Sequence, residues 1–325
     1  MDCTGKQKSA HANLSVVYGD LTLGLYGEGF GYIFSYQTGG LESLVREGKE
    51  WLYRTPKPTF WRALTDNDRG NGFAMKSGMW MSADLFIKCI GQKVWIDDRE
   101  MPLPCAPENN RFHGKETADR VQICFTYETI TVPKTTVDVT YTVEGTGRIG
   151  VSVCYHGAIG LPELPVFGMR FVMPTKAIGY SYKGLSGETY PDRMAGAIEG
   201  IYEIEGLPVT KYLVPQDCNV HMQTKWLEIR RNSTLNNADT DSSVFSLRFE
   251  AAEAPFAFSC IPYTSLELEN ATHHEELPPA RRTVVSILGA VRGVGGIDSW
   301  GADVEEAYHI SGEKDICYSF SIAGV

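Results

Sequence analysis

Residues 121–156 read VQICFTYETITVPKTTVDVTYTVEGTGRIGVSVCYH, and this stretch decides the fold. Apolar and polar residues alternate through Val121, Ile123, Phe125 and Tyr127, then again through Val137, Val139, Tyr141 and Val143. A repeat of two with β-branched and aromatic residues marks half-buried strands. The breaks at Val132-Pro133-Lys134 and at 144–148 (EGTGR) carry turn chemistry. Three consecutive antiparallel strands are predicted.

The same pattern extends outward. Residues 15–45, SVVYGDLTLGLYGEGFGYIFSYQTGGLESLV, read as a meander, and strand-like runs recur at 165–174, 221–231, 244–250, 255–263, 281–291 and 316–322. Helix candidates are few: 73–86 (FAMKSGMWMSADLF) and 265–272 (SLELENAT), the second opening at a Ser/Thr-type cap. No repeat or low-complexity linker divides the chain. The expected architecture is all-β, a large antiparallel β-sandwich of two sheets face to face over 14–325, preceded by a flexible segment over 1–13.

Of 325 residues, 43% are hydrophobic and 22% charged, an ordinary balance for a globular chain with a sizeable core. A net charge of −10 excludes nucleic acid and anionic membrane as natural partners and favours a neutral or cationic ligand, or a protein. The opening residues lack a signal peptide's apolar core, and no run approaches the roughly 20 apolar residues of a membrane span. A cytoplasmic location is expected. The eight cysteines form no C-x-x-C pair, so reduced, buried thiols are expected, including Cys124 and Cys154. His273, His274, Glu275 and Glu276 adjoin one another but lack the i, i+4 spacing by which a helix shares a metal, so no metal site is expected.

Three stretches carry more polar density than a sandwich needs. In 58–72 (PTFWRALTDNDRGNG), Asp66, Asn67, Asp68 and Arg69 follow Phe60 and Trp61. They suit a capped turn, or an acidic loop facing a polyol with 70–79 as a flap. In 185–196 (LSGETYPDRMAG), Glu188, Asp192 and Arg193 surround Tyr190. In 292–301 (RGVGGIDSWG), four glycines surround Trp300, with Asp298 and Ser299 just before it. An aromatic platform beside carboxylate and hydroxyl groups is what a sugar's apolar face and polar rim require, though a glycine-rich turn around a core Trp has the same sequence. Glycoside hydrolysis takes two flanking carboxylates. No motif marks such a pair here, and nucleophile elbow, phosphate loop and dinucleotide fingerprint are absent too.

Taken in order, 58–70, 184–196, 206–216 and 292–301 resemble the C-terminal domain of glycoside hydrolase family 2 β-galactosidases. With 51–63, Asn236-Asn237-Ala238-Asp239 and 277–283, the resemblance is closest to the separately encoded small chains of heterodimeric members. It implies a supersandwich similar to galactose mutarotases, and both catalytic glutamates on a large partner chain. Mg2+ and a monovalent cation are implied in the assembled enzyme, mainly on that partner, with no cofactor on this chain. The substrate implied is a terminal β-D-galactoside such as lactose. Trp300 is implied to reach the partner's active site as a platform, with Asp298 and Ser299 beside it and 66–69 as an active-site loop. The isolated chain is expected to be inactive and to self-associate. The chain departs from the family's pattern at Leu64, where proline is usual, and at Gln216–Asn219, where a glycine is missing from a turn that Asn219 can make in the left-handed region. Two rival readings are an autonomous mutarotase-type enzyme, with His156 or His221 as acid, and a non-catalytic carbohydrate-binding module.

Overall fold

The computed structural model describes residues 13–103, 106, 115–298 and 300–324. The expected segment 1–13 lies outside them but for Asn13, as do Cys3, Cys105 and Ser299.

Strands Arg120–Glu128, Thr136–Glu144 and Ile149–Tyr155 form as predicted and pair antiparallel in sequence order. Ile123 stands opposite Tyr141 and Phe125 opposite Val139. Every second side chain is buried, including Val121, Phe125, Val139 and Val153, while its neighbours are not. The pleat sends alternate residues to opposite faces, so this pairing gives one wholly apolar face. Those strands lie within a ten-stranded sheet, which continues through Ile316–Gly324, Phe245–Ala251, Trp226–Arg231 and Gly179–Leu185 to an edge at Glu199–Glu205.

Two further sheets cover its apolar face. One is the predicted meander, Leu14–Tyr18 to Gly40–Arg46, in a six-stranded sheet. The other has five strands, ordered Val220–Thr224, Phe256–Ile261, Thr283–Val291, Val166–Met173 and Arg54–Thr59. Phe34 of the first packs on Tyr141 of the ten-stranded sheet, ring centroids 5.4 Å apart, and Phe171 of the second packs on Phe249 at 5.1 Å. The fold is therefore all-β and layered, but the expectation of two sheets is corrected: the second layer is split. One continuous core, from Leu14 to Ile322, fills the space between layers.

Three local expectations need correction. Cys154 and Cys317 form a disulfide rather than staying reduced, because they are register partners on neighbouring strands with Cα atoms 4.1 Å apart. Cys89, Cys124, Cys218 and Cys260 are free thiols as expected, but only Cys218 and Cys260 are buried, Cys89 and Cys124 being half-buried. The helix expected over 73–86 is only α2, Phe73–Ser77, followed by one 3₁₀ turn at Gly78–Trp80. The stretch expected as a loop at 66–69 is a short helix, α1, Asp66–Gly70. The helix expected in 265–272 forms as α3, Ser265–Asn270, capped by Thr264.

Candidate functional site

The three polar stretches meet at one end of the five-stranded sheet. Their anchor is buried charge. Thr65 and Asp68 form a reciprocal capping box at the start of α1: Asp68 N donates to Thr65 Oγ1 (3.1 Å) and Thr65 N to Asp68 Oδ2 (3.1 Å). That turns the Asp68 carboxylate inward, where it accepts from Arg62 Nη2 at 3.1 Å and from Arg292 Nη1 at 3.3 Å. Asp68 is 1% exposed and Arg292 0%. Arg292 also donates to Glu163 Oε2 (3.2 Å) and to Asp303, and its guanidinium lies over the Phe73 ring. Arg62 further holds the Arg292 and Gly293 carbonyls at 3.0 and 2.9 Å. Two buried guanidiniums thus join α1 to the root of the glycine-rich loop.

From that root the loop is carried outward by backbone only glycine tolerates. A β-carbon on Gly293 would stand 3.0 Å from the Asp192 carboxyl, whose oxygens accept from Val294 N (3.0 Å) and Gly295 N (2.8 Å). Gly301 has φ +86°, and a β-carbon there would stand 2.5 Å from Gly70 O at the end of α1. Asn67 Nδ2 donates to Val294 O at 2.9 Å and Arg193 to Gly295 O. At the tip, Asp298 Oδ1 accepts from Trp300 N (2.9 Å) and Ala302 N (3.1 Å). Trp300 is 91% exposed, whereas Trp51, Trp61 and Trp80 are buried in the core. The glycines do not shape a core turn; they hold an indole out in solvent.

The expected residues among those described each have a definite place. Asp66 is exposed and pairs with Arg69 (3.2 Å), whose Nη2 donates to Pro215 O (3.1 Å). Asn67 and Asp68 brace the loop rather than stand at its tip. Asp298 fixes the Trp300 backbone, and Ser299 lies outside the described residues. Arg62, Arg292 and Glu163 were not singled out by sequence, whereas Asp303 was visible as a carboxylate shortly after Trp300. The signal for the helix was present as Thr65-x-x-Asp68, a capping-box spacing.

Beside the loop lies a cleft of about 410 Å³ containing Asp217 and Tyr190. Burial pushes the Asp217 carboxyl up to about 6, against the pull of Arg62 and of the Tyr190 hydroxyl, which donates to it at 3.0 Å. Asn219, two residues on, does adopt the left-handed conformation, φ +60°. The raised value fixes a sign. Ionising Asp217 costs stability as pH rises from the ordinary carboxylate range, about 4, through about 6, and the whole penalty stands above that. Asp217→Asn keeps an oxygen for Tyr190. It is expected to match the wild type in melting temperature near pH 4 and to exceed it near about pH 7; parallel melting profiles across that range would contradict the assignment.

His221 is 3% exposed, stacked on Phe258 (4.8 Å between centroids), and bonded to Gly187 O at 2.7 Å. Burial holds its imidazole down at about 4. His156 bonds Asp138 at 2.8 Å. Neither pairs with a glutamate among the described residues. Among those residues, no group of three or more His, Cys, Asp or Glu is placed to hold a metal, and no helix is long and apolar enough to cross a membrane.

The fold and site define an all-β chain that presents a braced, solvent-facing tryptophan beside a polar cleft. Residues 26–322 match the family described as "Beta galactosidase small chain", and the chain belongs to that family. It is 61% identical to the β-galactosidase small subunit of Latilactobacillus sakei over 97% of this chain and 99% of that one. It is 32% identical to a β-galactosidase of Halalkalibacterium halodurans over 99% of this chain but only 29% of that protein. The chain thus spans one small subunit and under a third of the longer relative. Among solved structures it is similar to a galactose 1-epimerase from Lactobacillus acidophilus, at 8% identity, TM-score 0.38, covering 93% of this chain and 94% of that one.

Proposed function

We propose that this chain is the small subunit of a β-galactosidase that hydrolyses terminal β-D-galactosides such as lactose, and that it completes an active site built on a larger chain. The observation that carries this reading is Trp300, 91% exposed at the tip of a loop rooted in buried ion pairs. An indole so held has no partner among the described residues. It is a platform offered to something else, with Asp298 fixing its backbone and the helix 66–69 bracing the loop from behind. In this reading the acid and the nucleophile belong to the large chain, and Mg2+ and a monovalent cation sit in the assembled enzyme mainly on that chain.

Exposed apolar side chains support a partner on the same side. Met75, on α2, is 91% exposed and Ile297, near the loop tip, 63%. Lys76 of that helix pairs with Asp303 at 3.1 Å, which ties α2 to the loop. Covering such a surface is what a stable subunit interface does, and an isolated chain is expected to self-associate through it. The mutarotase-type reading loses support, because the His221 imidazole is sealed in an aromatic cluster.

The purified chain alone should not hydrolyse a chromogenic β-galactoside, and activity should appear on adding the large chain encoded with it. Turnover by the isolated chain, after rigorous removal of host β-galactosidase, would overturn this function.

A further inference from the structure

We propose that the cleft behind the Trp300 loop is a saccharide subsite that takes one pyranose ring. The key residue is Gln216, which lines the cleft and is 6% exposed. Its Oε1 accepts from Asp66 N at 2.7 Å, which fixes the amide's orientation. Its Nε2 has no partner among the described residues. That open donor is left to the cleft, where a ligand hydroxyl or water can satisfy it.

The cleft's other polar groups are half-used in the same way. Glu188 Oε2 accepts from Asn219 N (2.7 Å) and Thr210 Oγ1 (3.2 Å), leaving Oε1 open. Asp217 Oδ2 takes the Tyr190 hydroxyl and leaves Oδ1 open. Asn67 gives its Nδ2 to Val294 O and keeps Oδ1. Arg193 spends Nη2 on Gly295 O and has donors to spare. Tyr190 and Tyr212 supply apolar lining.

This mixture selects the ligand. A bare cation would face the Gln216 amide hydrogens and a guanidinium, and an anion would face Glu188 and Asp217. A sugar's vicinal hydroxyls donate to the open carboxylate oxygens and accept from Gln216 and Arg193 together. A cleft of about 410 Å³ falls within the range of small-molecule sites. Asn67 and Arg193 each spend one group on the loop that carries Trp300, so cleft and loop share a wall.

The choice of galactose as probe rests on the β-galactosidase reading; the cleft's chemistry does not. Calorimetric titration of the full isolated chain with D-galactose should give a dissociation constant on the order of 1–10 mM, as expected for a few hydrogen bonds to a small, open-site ligand. Gln216→Glu keeps an oxygen for Asp66 N, turns the open donor into an acceptor and adds a negative charge to a cleft that already holds Glu188 and Asp217. Glu188→Gln likewise keeps an acceptor for Asn219 N. Each should weaken binding about tenfold, and Glu188→Gln should do so with melting temperature unchanged. If one cleft variant fails to fold, the other decides. No binding of galactose to the wild-type chain overturns the proposal, as does binding that survives both cleft variants. Binding lost in Trp300→Ala but kept in the cleft variants would move the sugar to the loop tip. Failure of the β-galactosidase reading shows separately, as no activity on mixing with the large chain.

Discussion

Replacing Asp68 with alanine is expected to cost about 3–5 kcal/mol of stability, the penalty for leaving a buried charge without its partner. Among the described residues Asp68 is the one carboxylate bonded to both Arg62 and Arg292, and side-chain exposures of 1%, 2% and 0% leave water no access to replace it. Arg292 retains Glu163 and Asp303. Arg62 would keep two carbonyls but no bonded carboxylate, and its Nε is already buried without a partner. Half of the capping box goes too: Thr65 N loses its acceptor, while the backbone N of residue 68 keeps Thr65 Oγ1. For a chain of this length, the unfolding entropy per residue converts such a loss into a fall of roughly 5 °C or more in melting temperature. Asp68→Asn retains the cap oxygen but not the charge, so it should fall between the two. A melting point for Asp68→Ala within about 1 °C of the wild type, no more than ordinary surface-mutation scatter, would show that the pair is dispensable.

The same network marks where reading the sequence stops. Strands over 120–155 were legible because alternation is local: each residue's face is set by its neighbours two away. The left-handed Asn219 and the cap of α3 were legible for the same reason, being properties of a few adjacent residues. Arg292 meets Asp68 across 224 residues of chain, and Arg62 meets the Arg292 carbonyl across 230. Nothing in periodicity says that a charged residue is buried, since buried and solvated arginines look alike until their partners are placed. Cys154 and Cys317 were missed likewise: each sits on a recognisable strand, and only the order of strands makes them neighbours. The split of the second layer is also a matter of strand order. For the site, the three stretches are visible as polar density, but their meeting around α1 is not, because the Asx-rich sequence over 66–69 suits a loop as well as the helix that its capping-box spacing starts. Family resemblance supplied a role for Trp300 that residue chemistry alone left balanced between core and platform. Its exposure removes the core alternative.

Trp300→Ala should therefore separate binding from stability. At 91% exposure the side chain buries almost nothing in its own fold, so truncation should change stability by no more than about 0.5 kcal/mol, as for surface substitutions generally. A core tryptophan such as Trp80, wholly buried, would cost about 3–5 kcal/mol on the same change. In the assembled enzyme the expectation reverses. Stacking a sugar face on an indole resembles base–aromatic stacking, worth about 1–3 kcal/mol. If that energy acts on ground-state binding, its loss raises the Michaelis constant about five- to 150-fold with kcat largely kept. Trp300→Phe retains a smaller ring and should recover part of the affinity. The backbone of the loop is held by Asp298 and by the glycines, not by the indole, so the mutation should leave the platform's frame standing. Michaelis constants and melting curves on the two variants decide the matter. A Trp300→Ala enzyme with unchanged Michaelis constant but weakened subunit association would assign the indole to the interface instead of the substrate, because a side chain so exposed in the free chain must gain its partner from one or the other.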